Sequence, residues 1–62
     1  MTREYYVSYG RIGFAVDRFE KAGNLVYLWN GNSLVTVIDL NWTRLRLSQV
    51  IDNTIYFRLE DI

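Results

Sequence analysis

Leu25-Val-Tyr-Leu-Trp-Asn-Gly-Asn-Ser-Leu-Val-Thr-Val-Ile38 decides the fold. Two runs rich in β-branched and aromatic residues flank Asn30-Gly31, a dipeptide whose tolerance of positive φ suits a type I′ hairpin turn. That turn pairs Tyr27 with Leu34 and Val26 with Val35. Both faces of the hairpin are then apolar, with Val26, Leu28, Val35 and Val37 on one side and Leu25, Tyr27, Trp29, Leu34 and Ile38 on the other. A chain of 62 residues has one small core to build, so one face is expected inside and the other against a partner.

Upstream, residues 3 to 9 and 12 to 19 alternate in polarity around Gly10-Arg11, which suits a two-residue turn with glycine first. The resulting register sets Tyr9 against Ile12, Val7 against Phe14 and Tyr5 against Val16, all on the core face. It also opposes Glu4 to Asp17 and Arg3 to Arg18, unfavourable like-charge pairs that a single bulge would relieve by setting Glu4 against Arg18. Lys21-Ala22-Gly23 reads as a three-residue turn ending in a bulge glycine, which places Phe19 opposite Leu25 and on the outer face. Gly10-Arg11-Ile12-Gly13 matches a G-x-x-G pattern but lies between strands. It reads as a turn glycine followed by a strand glycine, not as a nucleotide clamp between helices.

Downstream, Thr43, Leu45 and Leu47 alternate with Arg44, Arg46 and Ser48, and Asp52-Asn53-Thr54 reads as a three-residue hairpin turn. Leu45, Leu47, Ile51, Ile55, Phe57 and Leu59 form the apolar face of this hairpin. Arg44, Arg46, Ser48, Tyr56, Arg58 and Glu60 form its polar face. Residues 41–51 also offer a helix or 3₁₀ turn capped by Asn41, since Trp42, Leu45 and Gln49 follow helical spacing. The strand reading fits more residues: a strand is expected through about residue 47, with residues 48–52 left open between strand and one short helical turn.

The whole chain, 1–62, is therefore expected to be a single all-β domain. Five or six short antiparallel strands run as a meander that curls into a partly closed barrel, because a flat sheet would leave its Val and Leu face wet. The general plan is similar to that of SH3-like, OB-like and Sm-like small barrels, without a diagnostic motif of any of them.

Composition narrows the function. Cysteine and histidine are absent, so disulfides, thiolate chemistry, the common zinc sites and the Ser-His-Asp and Cys-His nucleophile arrangements are not expected. Glu4 and Asp17 are the one conceivable carboxylate pair, and on exposed strand ends they read as solvated side chains. No enzyme activity, metal or cofactor is expected. Seven basic and seven acidic residues cancel, which argues against bulk electrostatic attachment to nucleic acid or membranes. The amino-terminal Met1 to Tyr6 stretch lacks an apolar run, and a cytoplasmic protein with no membrane segment is expected.

Two constellations remain. Tyr6, Phe19, Leu25, Tyr27, Trp29, Leu34 and Ile38 make an outer face rich in interface-forming side chains. If bends or bulges do not turn some of them inward, that face predicts self-association, as a homodimer or larger, in a protein-interaction module acting as an adaptor or inhibitor of another protein. The second is Arg44, Arg46, Arg58 and Tyr56 with Trp42 as a stacking neighbour. Six of the seven basic residues are arginine, the side chain suited to planar contacts. This face is either a solvated one or, in the alternative reading, a site for single-stranded nucleic acid or an acidic partner.

Overall fold

The computed structural model describes residues 4–62. Seven strands follow one another: β1 Glu4–Tyr9, β2 Ile12–Val16, β3 Arg18–Ala22, β4 Leu25–Asn30, β5 Ser33–Asp39, β6 Thr43–Ile51 and β7 Thr54–Asp61. They form a four-stranded sheet in the order β2-β1-β7-β6 and a three-stranded sheet in the order β3-β4-β5. The all-β class is as expected, but there are seven strands in two sheets rather than five or six curled into a barrel. Nor is the chain a simple meander, since β1 and β7 lie side by side and parallel, with Tyr5 beside Ile55 and Val7 beside Phe57. No helix long and apolar enough to cross a membrane occurs among the described residues.

The β1–β2 hairpin has the register expected from Gly10-Arg11, pairing Tyr5 with Val16, Val7 with Phe14 and Tyr9 with Ile12. Gly10 adopts φ +59°, which an L side chain resists and glycine does not. Asp17, however, does not extend this ladder to face Glu4. It is a bend that splits the expected strand over 12 to 19 into β2 and β3 and carries the chain from one sheet to the other. Its N–H donates to the Trp29 carbonyl at 2.9 Å, and its carboxylate accepts from the Gly31 N–H at 2.8 Å. The expected opposition of Arg3 and Arg18 lies outside the described residues.

The two turns flanking β4 differ in phase from the sequence reading, as does the turn after β6, where Thr54 belongs to β7 rather than to the loop. Between β3 and β4 the loop is the pair Gly23-Asn24, so Phe19 faces Leu28 rather than Leu25. Between β4 and β5 it is Gly31-Asn32 rather than Asn30-Gly31, so Trp29 pairs with Leu34 and Asn30 with Ser33. The reason is the use made of Asn30, whose Nδ2 donates to the Ala15 carbonyl at 3.0 Å. That bond draws Asn30 into the strand and ties β4 to β2. A register shift follows between Leu28 and Trp29, leaving Val35 as the extra residue, after which Leu28 pairs with Thr36, Tyr27 with Val37 and Val26 with Ile38.

These shifts exchange two expected residues across the sheet. Ile38 is only 3% exposed and belongs to the core with Val7, Val16, Val26, Leu28 and Leu59, whereas Val37 is 42% exposed and faces outward. Phe19 turns inward as well. Its ring meets Tyr5 edge-on at 5.0 Å and Phe57 edge-on at 5.7 Å, joining the two sheets. Val35 stays packed against the core as expected, with Phe14, Leu40 and Leu45.

The last third is a long hairpin with no helical turn at 48–52. β6 runs through to Ile51, and the loop is Asp52-Asn53, with Asp52 at φ +54°. Ser48 is skipped by the ladder, which places Leu47 opposite Phe57 but Gln49 opposite Tyr56 and Val50 opposite Ile55. Val50, not Ile51, therefore lies on the apolar side. Beyond Thr43 and Asp61 the ladder takes one more step, the Ile62 N–H donating to the Trp42 carbonyl at 2.9 Å.

Candidate functional site

The outer face of the three-stranded sheet carries Leu25, Tyr27, Trp29 and Leu34, as expected, together with Val37, which the sequence reading had assigned to the core. Cross-strand pairing makes this face continuous, since Trp29 stands opposite Leu34 and Tyr27 opposite Val37. Leu25, Leu34 and Val37 are exposed, and Tyr27 and Trp29 are half-buried. At the β3 edge the face becomes polar. The Arg18 guanidinium lies 5.0 Å from the centre of the Trp29 ring and pairs with Glu20 at 3.4 Å. Trp29 Nε1 is buried without a hydrogen-bond partner among the described residues. Phe19 and Ile38 are absent from this face, having moved to the core, and Tyr6 belongs to the other sheet. Val37 faces outward because Val35 is an extra residue in β5, which moves every later side chain to the opposite side, and no residue in the local sequence announces it.

The outer face of the four-stranded sheet gathers the second constellation. Paired positions put Tyr6 beside Tyr56, Ser8 beside Arg58, Arg58 opposite Arg46 and Glu60 opposite Arg44. The Tyr6 and Tyr56 rings are 5.9 Å apart, tilted by 57°. Tyr6 lies across the strand position of Gly13, where any Cβ would overlap its ring. That strand glycine thus makes room for a flat aromatic, a role that its place in a G-x-x-G pattern does not disclose. Arg46 contacts Glu60 at 3.5 Å, while Arg44 and Arg58 have no ion pair among the described residues. The Ser48 bulge opens a shallow cleft of about 290 Å³ lined by Arg46, Leu47, Ser48 and Arg58. Trp42 stands at the end of the Arg44 and Arg46 row and is 72% exposed.

Glu4 and Asp17 line one cleft of about 400 Å³ with Tyr6, Asn30 and Thr54. The Asp17 carboxylate there holds the Gly31 N–H, which gives it a structural task. Elsewhere the Tyr9 hydroxyl donates to both Asp61 oxygens at 3.2 Å. The carboxylate beside it, through that hydrogen bond and its charge, raises the phenol above its ordinary pKa. Among the described residues no group of three or more Asp or Glu side chains is placed to hold a metal ion.

No protein-family model matches the chain, and neither a curated protein nor a solved structure is detectably similar to it.

Proposed function

We propose that the chain is a non-enzymatic interaction module that self-associates through the outer face of its three-stranded sheet and acts as an adaptor or inhibitor. The observation that carries this reading is surface area. The folded chain exposes 4741 Å², whereas a monomeric globular protein of 7.4 kDa exposes about 4,200 Å². The excess of roughly 500 Å² belongs to the whole surface, and the exposed Leu25, Leu34 and Val37 place uncovered apolar area on this face. Leu25, Tyr27, Leu34 and Val37 supply a contiguous apolar centre, and Arg18 with Glu20 supplies a charged rim, the usual anatomy of such an interface. A two-fold axis lets one face pair with itself. In that arrangement the outer faces of the two four-stranded sheets point away from each other, which suits a module that bridges or blocks a partner.

Solution mass tests this reading. The full chain should sediment at twice 7.4 kDa, and the double variant Leu34→Glu, Val37→Glu should be a folded monomer, because both positions are exposed in the single chain. A wild-type monomer at about millimolar concentration would refute the proposal, as would a double variant that still dimerises with unchanged circular dichroism.

A further inference from the structure

The outer face of the four-stranded sheet is built differently from the dimer face, and its chemistry points to another class of ligand. Its two tyrosines sit on β1 and β7, the central strands, where a ring can present a flat side to solvent. Tyr6 is held down on Gly13 and stays 40% exposed. Beside this platform Arg46 and Arg58 face each other directly across the β6–β7 ladder, a like-charge pair that costs stability unless an anion lies between or above it. Only Arg46 has an acidic contact, Glu60, and the neighbouring Arg44 and Arg58 have none among the described residues. The Ser48 bulge leaves a polar cleft lined by Arg46 and Arg58. From the Tyr56 row to the Trp42 row the face spans about 20 Å at the usual rise per residue.

We infer that this face binds single-stranded nucleic acid, with bases stacked on Tyr6 and Tyr56 and the phosphates held by Arg58, Arg46 and Arg44. Stacking on an aromatic requires unpaired bases, since a duplex hides their faces, and a rail of three arginines suits a backbone of regularly spaced phosphates. An acidic protein segment would use the arginines alone and leave the tyrosine platform idle, which is why the observations favour the nucleic acid. Glu4 and Glu60 temper the charge of the face, so binding is expected to be modest and strongly dependent on salt.

The test is fluorescence anisotropy of a labelled ten-nucleotide oligothymidylate titrated with the full chain. Neutralising three phosphates of a single strand gives a salt slope near −2, so affinity should fall about 20-fold between 50 and 200 mM salt. Arg58→Gln removes one contact and should reduce that fall to about sevenfold. Tyr6→Ala should weaken binding roughly tenfold while Tyr6→Phe retains it, since the ring and not the hydroxyl does the stacking. The Leu34→Glu, Val37→Glu monomer should bind with the same affinity per chain, which separates this inference from the dimer proposal. Absence of binding in low salt would overturn it. So would tight binding of polyglutamate that Tyr6→Ala leaves unchanged, because an acidic polymer would then be the better occupant.

Discussion

Truncation of two adjacent residues, Val37→Ala and Ile38→Ala, measures which side of β5 is the inside. Ile38 is 3% exposed and packs with Val26 and Leu28, so removing its side chain leaves a cavity and should cost about 2–5 kcal/mol. Val37 is 42% exposed on the outer face, and its loss in the single chain should cost about 0.5–1 kcal/mol, mainly strand preference. For a domain this small the urea dependence is about 1 kcal/mol per molar, so the two midpoints should differ by about 2 M. Urea unfolding followed by tryptophan fluorescence reads the difference directly. The measurement should be made at about 1 and about 100 μM, because unfolding of a dimer depends on protein concentration. The Ile38 deficit should be the same at both concentrations, whereas the Val37 deficit should grow at the higher one, where the outer face is covered. Equal midpoints for the two variants at about 1 μM, or a larger loss at Val37 there, would refute the register on which both the core and the proposed dimer face depend.

Three further outcomes follow from particular contacts. Asp17→Ala removes the acceptor that holds the Gly31 N–H and should cost about 1–2 kcal/mol by thermal unfolding, with Asp17→Asn recovering part of it. Trp29→Phe should cost less than about 1 kcal/mol, because it deletes a buried N–H that has no partner among the described residues, while Trp29→Ala should cost about 3 kcal/mol or more. The raised pKa of Tyr9 stabilises the fold through its protonated form, so this contribution is fully present below the ordinary phenol pKa of about 10 and is lost as pH rises through the higher folded value. A spectrophotometric titration should show a late-ionising phenol that disappears in Tyr9→Phe.

The parts of the fold legible in the chain are those encoded locally. Gly10-Arg11 and the alternation around it specify the β1–β2 register pair by pair. The outward placement of Leu25, Tyr27, Trp29 and Leu34 also survives, because moving the turn by one residue and inserting one at Val35 leave the β4 side chains on their own sides. What local pattern does not carry is the competition for Asn30 and Asp17. Their side chains bond Ala15 and Gly31, partners that lie far along the chain, and those bonds rather than turn preference set the loop phase. The parallel contact of β1 with β7 is equally hidden, since it joins residues about fifty positions apart with no glycine or turn to announce it. Tyr56 and Arg58 were readable as one face from their spacing. Tyr6 joined them only through that long-range pairing, whereas its seat on Gly13 lies within the locally encoded β1–β2 hairpin.

Two open sheets leave four strand edges, and the way these are guarded bears on which surfaces are available to partners. An exposed edge invites another strand unless it is short, charged or bulged. β2 is short, with five residues ending at the Asp17 bend. β3 carries Arg18, Glu20 and Lys21 along its five positions, β5 is interrupted at Val35, and β6, the longest at nine residues, carries Arg44 and Arg46 and is interrupted at Ser48. Each edge thus has a feature that opposes strand addition, including the one most apt to recruit a neighbour. The faces have no such protection: one presents Leu25, Tyr27, Leu34 and Val37 to water, and the other presents Tyr6 together with Arg44 and Arg58, which have no acidic partner among the described residues. A chain that blocks its edges and leaves both faces open is organised to be met from above and below. The interactions proposed here follow that division, with apolar area for a second copy on one side and stacked rings with positive charge for a strand of nucleotides on the other.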